Sequence, residues 1–346
     1  MKRVFVFGYY GFGNIGDEVT LKSIIDIIKD TSPYSKIDVL SYNSDLTSKN
    51  YKVNGVSRNK YFSIIKSIYQ SDVVISGGGT LLQDITSNRS LMYYLLIIII
   101  AKVLRKEVVF FSNGFGPVSN NKKLTRWVCN KVDDIILRDN DSKLAMESLG
   151  IHKAIAVTSD ITFSLKGMDK KAEEKVAISL RPWKLERNFF DTMIHFVDYL
   201  LEKGYKVDLI AMEKESDRKV LNRIHTHFMK NNKVRIISSD QYMELFEAIG
   251  TSKFLIGMRL HANIFALINK RPIIALNYDP KVEALAKDFN QICIDIDKGF
   301  NMEQLQSSFE WLVKNQKDSI KNIENILKEK KRLLEYNKDV LKKKLK

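Results

Sequence analysis

The feature that most constrains this chain is a rhythm that starts twice: short apolar runs ending in Gly, Ser, Asn or Asp alternate with longer helical stretches. In the first series, residues 4–7, 36–40, 73–75, 108–111 and 134–137 read as strands. A second series occupies residues 176–180, 206–211, 234–237, 254–257 and 272–276. Apolar runs without a polar alternation belong to strands buried on both faces, and strands alternating with helices build βαβ units on a mostly parallel sheet. The chain has 346 residues and 45% hydrophobic content, more than one core usually absorbs, which predicts two lobes of roughly 150 residues each.

The expected organisation is therefore α/β, with two Rossmann-like lobes facing a cleft and helices at the carboxyl end. Residues 1–168 form the first lobe and residues 174–300 the second. Residues 301–346 are helical and end in a basic tail. The boundary is placed in the charged segment of residues 167–175, because a charge run without apolar residues makes a linker rather than core. The longest apolar run, residues 91–101 between Arg89 and Lys102, is shorter than the ~20 residues a membrane span needs and reads as a buried helix. About four apolar residues precede Gly8, too few for the ~7–15 of a secretory signal, so a cytoplasmic protein is expected. Cys129 and Cys293 sit on apolar backgrounds without a second thiol or a histidine at ligand spacing, so both read as core packing and no metal site is expected.

Net charge is +15, and it gathers at the end: residues 327–346 hold nine basic against three acidic residues. Such a tail reads as a solvated helix, with attraction to an anionic lipid surface as the second reading. Nucleic acid is not expected as a partner, since only one aromatic residue, Tyr336, stands among the lysines and no helix-turn-helix or zinc pattern is present.

Strand ends are where ligands gather in such lobes. Gly11-Phe12-Gly13-Asn14-Ile15-Gly16 follows the first strand and formally fits G-x-G-x-x-G. Asp17 and Glu18, however, stand where a pyrophosphate would have to sit, and two carboxylates there would repel it. The loop is read instead as presenting Asn14, Asp17 and Glu18 to sugar hydroxyls; a plain turn with Asp17 as helix cap accounts for the same residues. Gly77-Gly78-Gly79 follows a later strand and leads to Gln83, Asp84, Ser87 and Arg89, further acceptor candidates. Three consecutive glycines are costly in chain entropy and mark a close backbone approach. Cations cluster elsewhere, in Leu137-Arg138-Asp139, Leu180-Arg181-Pro182, Met258-Arg259-Leu260-His261 and Asp279-Pro280-Lys281. Arg259 and His261, if extended, point the same way from a strand end. Each cation alone reads equally well as a surface charge, but several fixed cations suit a small substrate carrying both phosphate and carboxylate. His152, His195, His225 and His227 read as surface.

Taken together, Gly8-Tyr9-Tyr10-Gly11-Phe12-Gly13-Asn14-Ile15-Gly16-Asp17-Glu18, Gly77-Gly78-Gly79-Thr80-Leu81-Leu82-Gln83-Asp84, Arg259-Leu260-His261 and Tyr278-Asp279-Pro280-Lys281-Val282 closely resemble the polysaccharide pyruvyl transferase family. The nearest likeness is to its cell-surface anchoring, CsaB-type members. The resemblance implies a GT-B-like fold, phosphoenolpyruvate as donor and no metal or organic cofactor. It further implies an acceptor such as the N-acetylmannosaminyl unit of a lipid-diphosphate-linked disaccharide, converted to a 4,6-pyruvate ketal. Such an enzyme would sit in the cytoplasm or at the inner face of the membrane. Family roles carry onto Arg259, His261 and Lys281 by their motifs, and onto Arg181 and Arg138 by shorter matches. His261 is the expected general acid toward the enol methylene, since an imidazole titrates near working pH. Arg181, Arg259, Lys281 and Arg138 would hold the donor, and Asp17, Glu18 or Asp84 would position or deprotonate the acceptor. A sugar-nucleotide glycosyltransferase of the same two-lobed shape is the competing reading.

Overall fold

In the computed structural model, which describes residues 1–85 and 87–346, Val4, Phe5, Val6 and Phe7 are all fully buried. Side chains alternate across a strand, so a strand with no solvent face needs helices on both sides of its sheet. That one run dictates the layering of the first of two compact units, which comprises Met1–Phe12, Asp17–Ser164 and Lys330–Lys346. Its strands are β1 (Arg3–Phe7), β2 (Lys36–Ser41), β3 (Asn54–Ser57), β4 (Val73–Gly77), β5 (Glu107–Asn113), β6 (Asp134–Leu137) and β7 (Ile155–Val157). They pair in parallel in the order β3-β2-β1-β4-β5-β6-β7, flanked by α1 (Ile15–Thr31), α2 (Ser44–Tyr51), α3 (Tyr61–Gln70), α4 (Asn88–Val103), α5 (Lys122–Cys129) and α6 (Asn140–Ser148). Strand order reverses between β1 and β4, and the loops that follow them are joined by the buried Tyr10, whose hydroxyl donates to the Gly77 carbonyl at 2.5 Å.

The second unit comprises Gly13–Gly16 and Leu165–Glu329. Its strands β8 (Lys175–Ser179), β9 (Lys206–Ala211), β10 (Val234–Ser238), β11 (Phe254–Gly257), β12 (Ile273–Asn277) and β13 (Ile292–Asp295) form a parallel sheet in the order β10-β9-β8-β11-β12-β13. Helices α7 (Arg187–Glu202), α8 (Lys214–His225), α9 (Tyr242–Gly250), α10 (Leu260–Ile268), α11 (Pro280–Asp288) and α12 (Met302–Lys314) accompany it. Phe309 of α12 meets Phe254, Phe196 and Tyr205 edge-on at 5.3–5.7 Å between centroids, the preferred geometry of aromatic pairs, and so pins α12 onto this sheet. The last helix, α13 (Gln316–Lys344), contributes its first part to this unit and the residues from Lys330 to the other.

Four expectations change. The run of residues 91–101 is not buried all round: Leu91, Tyr94, Leu95, Ile97, Ile98 and Ala101 of α4 are buried, while Met92, Leu96 and Val103 are exposed. Among the described residues no helix is long and apolar enough to cross a membrane. Lys175, expected at the end of a solvated linker, is instead the buried first residue of β8. Its Nζ lies 3.0 Å from Asp208 Oδ2 and donates to Thr251 Oγ1 at 2.9 Å, because a buried ammonium requires a carboxylate. The basic tail is a packed helix: Leu334, Val340, Leu341 and Leu345 are buried, Asn337 donates to Ser112 Oγ at 3.0 Å, and Lys344 Nζ meets Glu107 and Asp134. Cys129 is buried, but Cys293 lies exposed on the edge strand β13, its thiol pushed up to about 11 by partial burial and by Glu283 and Asp295.

Candidate functional site

β9, β8, β11 and β12 are neighbours, and the register pairs Gly257 with both Ser179 and Ala275, so the residues that follow these strands emerge along one edge of the second sheet. Arg181 comes off β8, where Pro182 stops the chain from continuing as a strand. Its Nη1 donates to the Tyr278 hydroxyl at 2.9 Å, its guanidinium lies 4.9 Å from the centre of that ring, and the Trp183 ring packs against Tyr278 at 5.1 Å between centroids. Tyr278, which follows β12, therefore aims the Arg181 fork by stacking and by a hydrogen bond.

Arg259 and His261 do not continue β11 as an extended pair. The strand stops at Gly257, where the Asn263 side-chain amide donates to the Gly257 carbonyl at 3.0 Å, and Arg259 is the N-cap of α10 with His261 in its first turn. The Arg259 fork is occupied: Nε donates to Asp217 Oδ2 at 3.0 Å, and Nη2 donates to Glu213 Oε2 at 2.7 Å and to Asp217 Oδ1. Burial raises the Asp217 carboxyl above its usual range even against the hydrogen bond and charge of Arg259. Glu213 is also pulled upward by burial, but Arg259's hydrogen bond and charge outweigh this and hold it below its usual range. Arg259 thus braces the β9–α8 turn and is matched by two carboxylates rather than offered as a bare cation. Sequence reasoning missed Glu213 and Asp217 because no local motif announces them.

The half-buried His261 ring is bounded by the glycine loop. A Cβ built on Gly16 would lie 2.2 Å from His261 Nδ1, so only glycine lets that backbone approach the imidazole. Ile15 N donates to the Met212 carbonyl at 3.1 Å, and Asn14 forms an antiparallel bridge with Glu213, which fastens residues 13–16 across the β9–α8 turn. Asn14 Oδ1 accepts the Gly16 amide at 3.0 Å, so this side chain shapes its own loop. Lys281 lies in the first turn of α11, where Asp279 Oδ1 caps its amide at 3.1 Å and Asp279 Oδ2 is 3.2 Å from its Nζ. Arg181 and Lys281, with the amino end of α10, are the positive features of this edge, an arrangement suited to phosphate and carboxylate.

The first unit holds the remaining candidates. Glu18 accepts the Gly11 amide at 2.7 Å through Oε1 and the Tyr51 hydroxyl at 2.8 Å through Oε2, which commits both oxygens to fixing the loop. Asp17 is half-buried in the first turn of α1, close enough to Gly79 that a Cβ there would sit 3.5 Å from its Oδ1. The triple glycine serves helix packing: at Gly78, whose φ is +61°, a Cβ would lie 1.9 Å from Thr20 Cγ2 of α1. Asp84 accepts the Ser119 and Asn120 amides, which hold its carboxyl below the usual range and staple that loop. Ser87 caps α4 by accepting the Ser90 amide at 3.3 Å; Arg89 is exposed in the first turn of that helix and Gln83 is half-buried. Arg138, a donor candidate that lies in the first lobe by the expected bounds, belongs to the first unit. There it is held by Asp139 at 3.1 Å, Asp160 at 3.6 Å and Thr80 Oγ1 at 3.2 Å.

A family model described as polysaccharide pyruvyl transferase matches residues 14–280. General stress protein 30 of Bacillus subtilis (strain 168) is 24% identical over 282 residues, covering 79% of this chain and 73% of that protein. Among solved structures, the UDP-GlcNAc 2-epimerase from Neisseria meningitidis bound to UDP-GlcNAc aligns with a TM-score of 0.65 at 13% identity, covering 97% of this chain and 99% of that one. Anabaena Alr3699/HepE in complex with UDP-glucose aligns with a TM-score of 0.64 at 11% identity, covering 100% and 99%. At these identities the structural likeness carries the fold, which is the expected two-lobed, GT-B-like α/β architecture.

Proposed function

We propose, proceeding from the fact that the chain belongs to the polysaccharide pyruvyl transferase family, that it draws pyruvyl groups from phosphoenolpyruvate and places them on a lipid-linked cell-wall sugar. The acceptor is an N-acetylmannosaminyl unit on a lipid diphosphate, as in CsaB-type enzymes, and the product is a 4,6-pyruvate ketal. The observation that carries this reading is the fit of the Gly16 backbone against His261, on the sheet edge that also carries Arg181 and Lys281.

In the proposed reaction, His261 donates a proton to the methylene carbon of the enol, and the adjoining carbon gains oxocarbenium character. A sugar hydroxyl attacks that carbon and its proton restores the deprotonated His261; the second hydroxyl then displaces phosphate, which carries off that hydroxyl's proton as the ketal closes. Arg181 and Lys281 meet the donor's phosphate and carboxylate and the charge on the departing phosphate. Arg259 positions the turn that carries Glu213. Asp17, Glu18 or Asp84 of the first unit would position the acceptor hydroxyls, since a carboxylate oxygen that already accepts one hydrogen bond has a second lone pair to offer.

The test feeds the protein labelled phosphoenolpyruvate or a labelled UDP-sugar together with a synthetic lipid-diphosphate acceptor, and weighs the product by mass spectrometry. Label should come from phosphoenolpyruvate alone, with the mass of a pyruvate ketal. His261→Ala should lower turnover by about 10²–10⁴ while phosphoenolpyruvate binding by calorimetry survives. Label drawn from the sugar nucleotide, or wild-type turnover by the alanine variant, would overturn the proposal.

A further inference from the structure

Two helices of the first unit turn large apolar side chains outward. On α3, Ile64, Ser67 and Ile68 are buried, while Tyr61, Phe62, Ile65 and Tyr69 lie along the opposite arc and are exposed, Phe62 by 92%. On α4, Met92, Leu96 and Val103 follow one stripe at helical spacing, with Leu96 exposed by 50% and Val103 by 75%. The helices are tied at both ends. Before α3, the Arg58 guanidinium sits 4.8 Å from the centre of the Tyr93 ring of α4, and the Tyr93 hydroxyl donates to the Arg58 carbonyl at 3.4 Å. Beyond α4, Lys106 Nζ sits 5.4 Å from the centre of the Tyr69 ring of α3. With start tied to start and end to end, the helices run side by side in one direction, and their outward stripes join.

The two helices themselves carry only cations, while Asp133 pairs with Lys102 at 2.6 Å near the end of α4 and Glu107 follows Lys106. Residues 58–70 contain Arg58, Lys60 and Lys66 and no acid, and residues 88–106 contain four cations and no acid. Contiguous exposed apolar surface of this kind marks a contact surface. Aromatic rings rimmed by lysine and arginine match the boundary layer of a bilayer, where rings lie at headgroup depth and cations meet lipid phosphates. A second copy of the chain fits less well, since a two-fold contact would set the Lys60 and Lys66 side of α3, which carries no acid, against its own copy.

We infer that the α3–α4 face docks this protein onto an anionic membrane surface. The inference takes its purpose from the proposed lipid-carried acceptor: an enzyme held at the bilayer meets such a substrate where it resides. The basic carboxyl end offers no comparable apolar stripe, because Leu334, Val340, Leu341 and Leu345 are packed and Lys344 is paired with Glu107 and Asp134.

The full chain is to be sedimented with vesicles of phosphatidylcholine alone or of phosphatidylcholine with phosphatidylglycerol, at low and high salt. Binding should favour the anionic vesicles by about tenfold or more and weaken with salt. The triple change Phe62→Ser, Leu96→Ser, Val103→Ser and the double change Lys60→Glu, Lys66→Glu should each weaken it by about tenfold, without altering circular dichroism or transfer to a short soluble acceptor. Equal binding to both vesicle types, variants that bind like the wild type, or a dimer by light scattering that the triple change dissociates would each overturn the inference. Transfer to the soluble acceptor is read without vesicles. Its failure alongside intact vesicle binding would sink the proposed chemistry and leave this surface standing.

Discussion

Gly16 fixes how close a backbone can come to the imidazole, and nothing about its own conformation demands glycine: its φ is not among the positive ones. Gly16→Ala is therefore a steric probe. The new methyl would start 2.2 Å from His261 Nδ1, and a ring displaced by about 1 Å should lower kcat/KM by about 10² with little change in the urea midpoint. Unchanged kcat/KM would show that the ring can retreat without consequence. Much of this edge was legible in the sequence, because Arg-Leu-His and Asp-Pro-Lys are local patterns and each falls at a strand end. The occupation of Arg259 was not, since its partners Asp217 and Glu213 lie 42 and 46 residues upstream and meet it only once β9 and β11 flank β8. The hydrogen bond that Glu18 accepts was hidden for the same reason: its hydroxyl partner, Tyr51, is 33 residues away.

At the scale of elements, the strands that apolar runs predict are found, most within a residue or two of their bounds, and the three they miss share one property. β3, β7 and β13 each lie at the edge of a sheet, and their residues are mostly half-buried or exposed. An edge strand has less apolar contact to make, so it carries no long apolar run to be read. Lys175 shows the converse, a charge that belongs to the interior. Lys175→Met keeps the stem and removes the ammonium, which leaves Asp208, 1% exposed, with the largely solvated Arg235 as its remaining ionic partner. The loss should be about 3 kcal/mol, the low end for breaking a buried pair, seen as a lower urea midpoint for the second unit. Adding Asp208→Asn should recover part of that loss in a double-mutant cycle. Strict additivity of the two changes would mean that the pair is not coupled.

For the whole molecule the decisive element is α13, one helix that serves both compact units. Its last residues were expected to be a solvated, lysine-rich helix. In the structure, Leu334, Val340, Leu341 and Leu345 are buried, Asn337 reaches Ser112 at the end of β5, and Lys344 bridges Glu107 and Asp134 at the start of β5 and β6. Four buried aliphatic side chains at about 1.5–3 kcal/mol each amount to roughly 6 kcal/mol or more, comparable to the whole stability of an ordinary domain. Truncation before Lys330 should accordingly unfold the first unit or lower its melting temperature sharply, while the second unit, whose sheet and α12 are untouched, should keep its own transition. Calorimetry of the truncated chain would separate the two. A full-length first-unit transition surviving the truncation would show the tail to be dispensable, and would return its lysines to the role of a free basic arm.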